Sequence, residues 1–505
     1  MTPVTASGIE AEPVPPPSGR VRWRWLGGLR PAYLPVLLTY FCYGASTVTA
    51  IALIYFEKDT LGLTPAQAAA VAFWLSLPWS MKMVAGVASD AYPIHGSRRG
   101  AYLLVGALCT LAGYAALATT VRSAGGYVVA SVLIAVGFMV QDVVADALSV
   151  EIAETDEEIG QIQTLGRMAL LVGGISVGYL SGVLAGRIGS RGTFAVAMVL
   201  PLIVVATVPF VRARRRAAPA RSPATAGPLE GGKARLIMLV GLGYATFGAL
   251  LETFGAPYSR EIVLVVSAAL ISLLLHRVGI SQGVVVAAIV IFLFRATPVV
   301  GQGYSFWAID RLGFDQAFLG VLAQVSSVLS LAGLLVFRKT IVKRPVSFTL
   351  LWVMTAGAIL YLPNIGLFYG LHEWLGISAR TLAFVDTTIS APLGQLAMVP
   401  MLVLIARTAP PGAEATMFAI MASLMNLALS ASHLFTEYLN EAFAVTQTDY
   451  SNLGRLMITV GVVSLVPLLA LPLLRRQERG AGRAPTAPSL DVEVVESLPA
   501  RGPSQ

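Results

Sequence analysis

The chain has 505 residues, 56% of them hydrophobic and only 12% charged, with a mean hydropathy of +0.74. A soluble domain carries about 25% charged residues to wet its surface, so this composition excludes an ordinary soluble protein of one or several domains. The net charge of +8 does not call for a nucleic-acid partner, because Lys and Arg of a membrane protein collect in its cytoplasmic loops.

Residues 1–30 hold no cleavable signal and form a Pro- and Ala-rich N-terminus that is expected to be disordered and cytoplasmic. Its end, Arg20-Val21-Arg22-Trp23-Arg24-Trp25, is a basic–aromatic segment suited to lipid headgroups. Apolar runs follow near 32–56, 66–88, 101–121, 126–148, 165–187 and 193–211, within a six-helix unit over 31–211. Each is long enough as a helix to cross roughly 30 Å of hydrocarbon. A basic cytoplasmic linker over 212–234 contains Arg212, Arg214, Arg215, Arg216 and Arg221. An inserted helix pair is predicted over 235–277, near 235–254 and 260–276. Six more runs, near 284–309, 317–337, 346–364, 380–406, 415–439 and 455–474, make a second six-helix unit over 284–475. The tail 476–505 is polar and expected to be disordered. The fold class is an all-α polytopic membrane protein of about fourteen spans.

With the N-terminus inside, the basic clusters Arg20–Arg30, Arg98/Arg99, Arg212–Arg235, Arg338/Lys339/Lys343/Arg344 and Arg475–Arg483 all fall on the cytoplasmic side. Both termini are then cytoplasmic. An internal repeat supports the same division. The first run ends Asp59-Thr60-Leu61-Gly62-Leu63, and the ninth ends Asp310-Arg311-Leu312-Gly313-Phe314. Aligning them gives six spans, an inserted pair and six spans, the parallel-repeat plan of a major facilitator carrier with two linker helices.

Several stretches resemble the folate–biopterin transporter family of that superfamily. They are Leu61-Gly62-Leu63-Thr64-Pro65-Ala66-Gln67, Leu77-Pro78-Trp79-Ser80-Met81-Lys82, Ser89-Asp90-Ala91-Tyr92-Pro93, Gln141-Asp142-Val143-Val144-Ala145-Asp146, Leu312-Gly313-Phe314-Asp315 and Pro411-Gly412-Ala413-Glu414. The resemblance implies a secondary active transporter of folate- or pterin-type solutes, working by alternating access, coupled to an ion such as the proton, and placed in a bacterial inner membrane as a monomer. A carrier of another organic anion, or a non-transporting membrane delivery factor on the same fold, stays open as an alternative.

Ionisable side chains at membrane depth are costly and therefore candidate functional groups. Lys82 and Asp142 lie at matched depth on the second and fourth spans, and Asp142 and Asp146 share a helix face. Arg167 begins the fifth span on the same side. These four are read as a latch or coupling cluster. Gly86-Val87-Ala88-Ser89-Asp90 with Arg98-Arg99 resembles the superfamily's gating loop. Arg295, three residues before Pro298, offers a planar fork for a substrate carboxylate, with an ion pair to Asp386 as the structural alternative. Asp386 and Gln395 are candidates for the hydrogen-bonding edge of a pterin, and Tyr40, Tyr43 and Phe294 for stacking on its ring. Cys42 and Cys109 read as small core residues, and the four histidines have no metal spacing. No phosphate loop, catalytic constellation or metal motif is present, so the expectation is neither an enzyme nor a cofactor protein.

Overall fold

The computed structural model describes residues 30–217, 231–278, 281–393, 396, 398–408 and 414–481. Both tails, the linker 218–230 and Gln395 lie outside the described residues. Eleven described stretches are helical, at least 18 residues long and apolar enough to cross a bilayer. One of them, Glu157–Val211, holds two helices separated at Gly189, whose φ of 69° ends the first. Two further segments are helices in two pieces.

Numbered in chain order, the segments are α1 (Pro31–Thr60), α2 (Pro65–Ala91), α3 (Gly100–Thr119), α4 (Ala124–Ile152), α5 (156–188), α6 (190–217), α7 (Gly231–Thr253) and α8 (Ser259–Val278). Then follow α9 (Gln282–Arg295 and Gln302–Leu312), α10 (Gln316–Lys343), α11 (Val346–Phe368), α12 (Ala379–Ser390 and Met398–Thr408), α13 (Glu414–Ala442) and α14 (Leu453–Arg479). Large apolar side chains such as Leu236, Leu239, Leu242 and Leu250 of α7 are exposed, which only a hydrocarbon surround accommodates. The protein is an integral membrane protein.

The repeat has a local physical cause. Gly62 and Gly313 both have φ of 63° and so end their helices in the left-handed conformation that glycine adopts without strain. The residue after each closes the same wide turn, Leu63 N–H donating to the Glu57 carbonyl and Phe314 N–H to the Ala308 carbonyl. Thr64 and Asp315 then cap the next helix through Gln67 N–H and Phe318 N–H.

Prolines set the breaks. Pro78 lies in a tight turn, Leu77–Met81, inside α2, and Lys82 starts the helix beyond it. Pro298 sits in the gap between the two pieces of α9, as its position in the sequence led us to expect. The polar groups freed there are taken by one face of α13. Ser432 Oγ donates to the Thr297 carbonyl (2.6 Å), Val299 N–H donates to Thr436 Oγ1 (3.0 Å), and Asn440 Nδ2 donates to the Val300 carbonyl (3.1 Å).

Each half has one apolar core toward the end that carries Arg98, Arg99 and Arg475, here the basic end, and one toward the opposite, far end. The basic-end cores stay with their own half: Val36, Leu148 and Ile162 in the first, Val284, Leu350 and Met417 in the second. The far-end cores do not. Leu319 of α10 packs on the first-half core around Phe56 and Phe194, and Ile54 of α1 packs on the second-half core around Phe306 and Leu453. The inserted pair straddles the seam on one side. Gly241 of α7 abuts Val84 of α2, while Arg260 of α8 pairs with Glu437 of α13 at 2.6 Å.

Candidate functional site

At the far end the two copies of the repeat meet. Lys58 Nζ lies 2.8 Å from Asp310 Oδ1, and Tyr55 OH donates to the Phe314 carbonyl (3.1 Å). Glu57, only 7% exposed, accepts from Tyr127 OH of its own half (2.7 Å) and from Gln302 Nε2 of the other (2.9 Å). Tyr450 OH holds the second oxygen of Asp310 at 2.7 Å. Alongside, α5 and α10 cross so closely that a Cβ on Gly182 would sit 2.2 Å from the Gln316 carbonyl oxygen. Such approach is how membrane helices gain packing energy without a hydrophobic drive. Toward mid-membrane, Ser76 Oγ meets Ser430 Oγ at 2.7 Å, and Asn426 Nδ2 donates to the Trp79 carbonyl (3.0 Å), joining α2 to α13.

At the basic end the polar contacts among the described residues stay within one half. Arg99 donates to Glu151 Oε1 (2.7 Å) and Ser89 Oγ (2.7 Å) and pairs with Asp90 (2.6 Å), tying the end of α2 to the end of α4. Arg98 is exposed and has no partner among the described residues. Arg30, just before α1, pairs with Glu158 (2.9 Å) and Glu154 of the α4–α5 corner. Glu154 beside it raises the Arg30 guanidinium above its ordinary value. Among the described residues the seam is therefore closed at the far end, and the contacts that join it leave the basic end untouched.

The first half brings Lys82, Asp142, Asp146, Arg167, Tyr40 and Tyr43 together. Lys82 pairs with the buried Asp142 and lies 4.9 Å over the Trp79 ring. Trp79 in turn stacks on Tyr43 (5.3 Å, 20°), which also meets Phe138. Asp146 accepts from Tyr40 OH and, at 3.4 Å, from Gln163 Nε2. Arg167 lies over the Tyr40 ring at 5.8 Å. It pairs with no carboxylate among the described residues, because Lys82, Tyr40 and Gln163 already hold the nearby ones.

The second-half wall differs from expectation. Asp386 accepts from Asn364 Nδ2 at 2.8 Å and makes no ion pair with Arg295. Arg295 ends the first piece of α9 with its Nε buried and without an acceptor among the described residues. Phe294 does not offer a face to a solute: it is buried in the basic-end core of the second half, since it shares a helix face with Ile291 and Val290. Tyr40 is likewise 1% exposed, so its ring supports Arg167 rather than a ligand.

Sequence reasoning missed Glu57, Gln302 and the Lys58–Asp310 pair as functional groups, although the repeat that contains or adjoins them was visible. It also missed Trp79 as the platform beneath Lys82. No group of three or more potential metal ligands occurs among the described residues.

The fold is that of major facilitator carriers. A POT family transporter in complex with 5-aminolevulinic acid superposes with a TM-score of 0.66 at 15% identity, covering 88% of this chain and 96% of that one. The peptide transporter POT in complex with sulfate gives 0.66 at 18%, covering 90% and 95%. In sequence, a folate-biopterin transporter of Synechocystis sp. is 30% identical over 443 residues, 87% of this chain and 81% of the relative. Folate transporter 2 of Plasmodium falciparum is 22% identical over 442 residues, 86% of each chain. The BT1 family matches residues 44–483, and the chain belongs to that family of membrane transporters.

Proposed function

We propose that this protein is a secondary active transporter of folate- or pterin-type solutes, and that the conformation described is the one open toward the cytoplasm. The observation that carries the reading is the one-sided seam. Contacts between halves gather at the far end, and the candidate side chains line the unsealed side. Relatives at up to 30% identity named as folate or folate–biopterin transporters supply the solute class. Rocking of the halves about the inter-half helix pairs α2–α13 and α5–α10 would expose the same walls to each side in turn.

In this reading the protein sits in a bacterial inner membrane as a monomer, with both termini and the basic end in the cytoplasm. Lys82, Asp142 and Asp146 form the coupling group. Asp90, Arg98 and Arg99 stand where the opposite gate would form when the cleft closes. Arg295, whose Nε is buried without an acceptor among the described residues, binds the solute's carboxylate, with Asp386 and Tyr43 close to its ring system, and Gln395 is proposed as a further hydrogen-bonding residue.

Uptake of labelled folate, biopterin and an unrelated organic anion by cells lacking their own pterin route tests the assignment. Saturable accumulation of folate or biopterin, collapsing when the proton gradient is dissipated, is the expected result. Accumulation of the unrelated anion alone would overturn it.

A further inference from the structure

Arg167 is charged, exposed and at membrane depth, yet it donates to no acceptor among the described residues. A guanidinium in that position is costly unless an anion meets it. Three observations say where that anion comes from. First, the carboxylates within reach are already held: Asp142 by Lys82, Asp146 by Tyr40 and Gln163. Second, Arg167 lies on the stripe of α5 that faces the other half. Gly178 and Gly182, which touch α10, are about 20° and about 60° around the helix from it. At their level the halves touch; Arg167, about three turns nearer the basic end, is exposed, and in the open conformation proposed above it borders the cleft. Third, the guanidinium lies over Tyr40, whose hydroxyl is pinned by Asp146. Stacking covers one face of the guanidinium and leaves its in-plane N–H groups free for bidentate pairing with a carboxylate.

Arg295 on the other half is the counterpart. It lies thirteen residues into α9, and Arg167 eleven residues into α5, both counted from the basic end, so the two sit ~20 Å and ~16 Å deep. We infer that Arg167 is a specificity-determining anion-binding residue, forming with Arg295 a two-sided site for the carboxylates of the solute. Without an anion, closing the basic end brings two cations toward each other in a dry cleft; a dicarboxylate tail between them removes that opposition. The site selects a heteroaromatic solute with an anionic tail over an uncharged pterin. This inference rests on the solute class proposed above.

The test uses wild type, Arg167→Lys and Arg167→Gln in proteoliposomes, with folate, biopterin and p-aminobenzoylglutamate, which carries the dicarboxylate without the pterin. Folate transport by Arg167→Lys is expected to fall at least tenfold, while biopterin stays within about twofold of wild type. p-Aminobenzoylglutamate should compete with folate in wild type and lose that ability in both variants. Equal loss of folate and biopterin, or no loss of either, overturns the assignment. If wild type carries neither solute, the solute class above fails instead, and thermal stabilisation by p-aminobenzoylglutamate alone then decides the role of Arg167. A shift present in wild type and absent in both variants supports it; no shift, or the same shift in all three proteins, overturns it.

Discussion

Lys58, Glu57 and Tyr55 at the far end reach across the seam to Asp310, Gln302 and Phe314, whereas Arg99 at the basic end directs its donors to Asp90, Ser89 and Glu151 of its own half. The same contrast holds for apolar packing among the described residues, since the clusters that join the two halves are the far-end cores and the one that sets Phe73 and Trp74 of α2 against Leu434 of α13, whereas the basic-end cores take no residue from the other half. Two halves built on a parallel repeat can meet at either end. What selects the end is where complementary groups are in register. Helices that approach through glycine, as α5 and α10 do, gain contact at low entropic cost because no side chain is immobilised.

The largest effect is expected from Gly182→Val. Its added carbons meet the Gln316 backbone, which cannot rotate away. Overpacking of this kind costs about 2–3 kcal/mol, here set against the sealed far end alone, a shift of roughly 30- to 150-fold in the balance of states. A cysteine at Ile54, in a background with Cys42 and Cys109 replaced by Ala, reports it through maleimide labelling rate. Labelling should rise steeply with Gly182→Val and stay unchanged with Arg98→Ala, which perturbs the open end. Equal rates in both variants would remove the distinction between the ends.

A smaller effect belongs to the Lys58–Asp310 pair, whose side chains are 12% and 32% exposed. Partial exposure limits the pair to about 1 kcal/mol, roughly a fivefold change in Ile54Cys labelling. A double-mutant cycle with Lys58→Ala and Asp310→Ala separates this coupling from the Tyr450 bond that Asp310 also makes. Full additivity would mean that the ions meet without holding the seam.

The smallest effect concerns Asp315, the cap that follows the second repeat. Phe318 N–H holds its carboxyl below the ordinary value of 3.8, with Arg380 adding to this against partial burial. A depressed carboxyl contributes stability above its ordinary value and loses it as pH falls through its value in the folded protein. Asp315→Ala should cost about 1 kcal/mol at neutral pH. The difference in melting temperature from wild type should be flat between pH 5 and 8 and shrink below about pH 4. A difference that grows on acidification would contradict the cap.

The sequence by itself determined the helices, their order and the repeat. Spanning length is fixed by hydrocarbon thickness, and Gly62, Gly313, Pro78 and Pro298 act on the backbone within a few residues, so each mark is local. Pairing of Lys82 with Asp142 was also legible, because rise per residue converts chain position into depth. Rotation about the helix axis and the choice among neighbours at one depth are not local. They turned Phe294 into the second-half core, gave Asp386 to Asn364 instead of Arg295, and left Arg167 without a paired carboxylate among the described residues. Which end of the seam closes was beyond the sequence for the same reason. Lys58 and Asp310 are 252 positions apart in number, and only the packing of α5 on α10 and α2 on α13 brings their helix ends to one place.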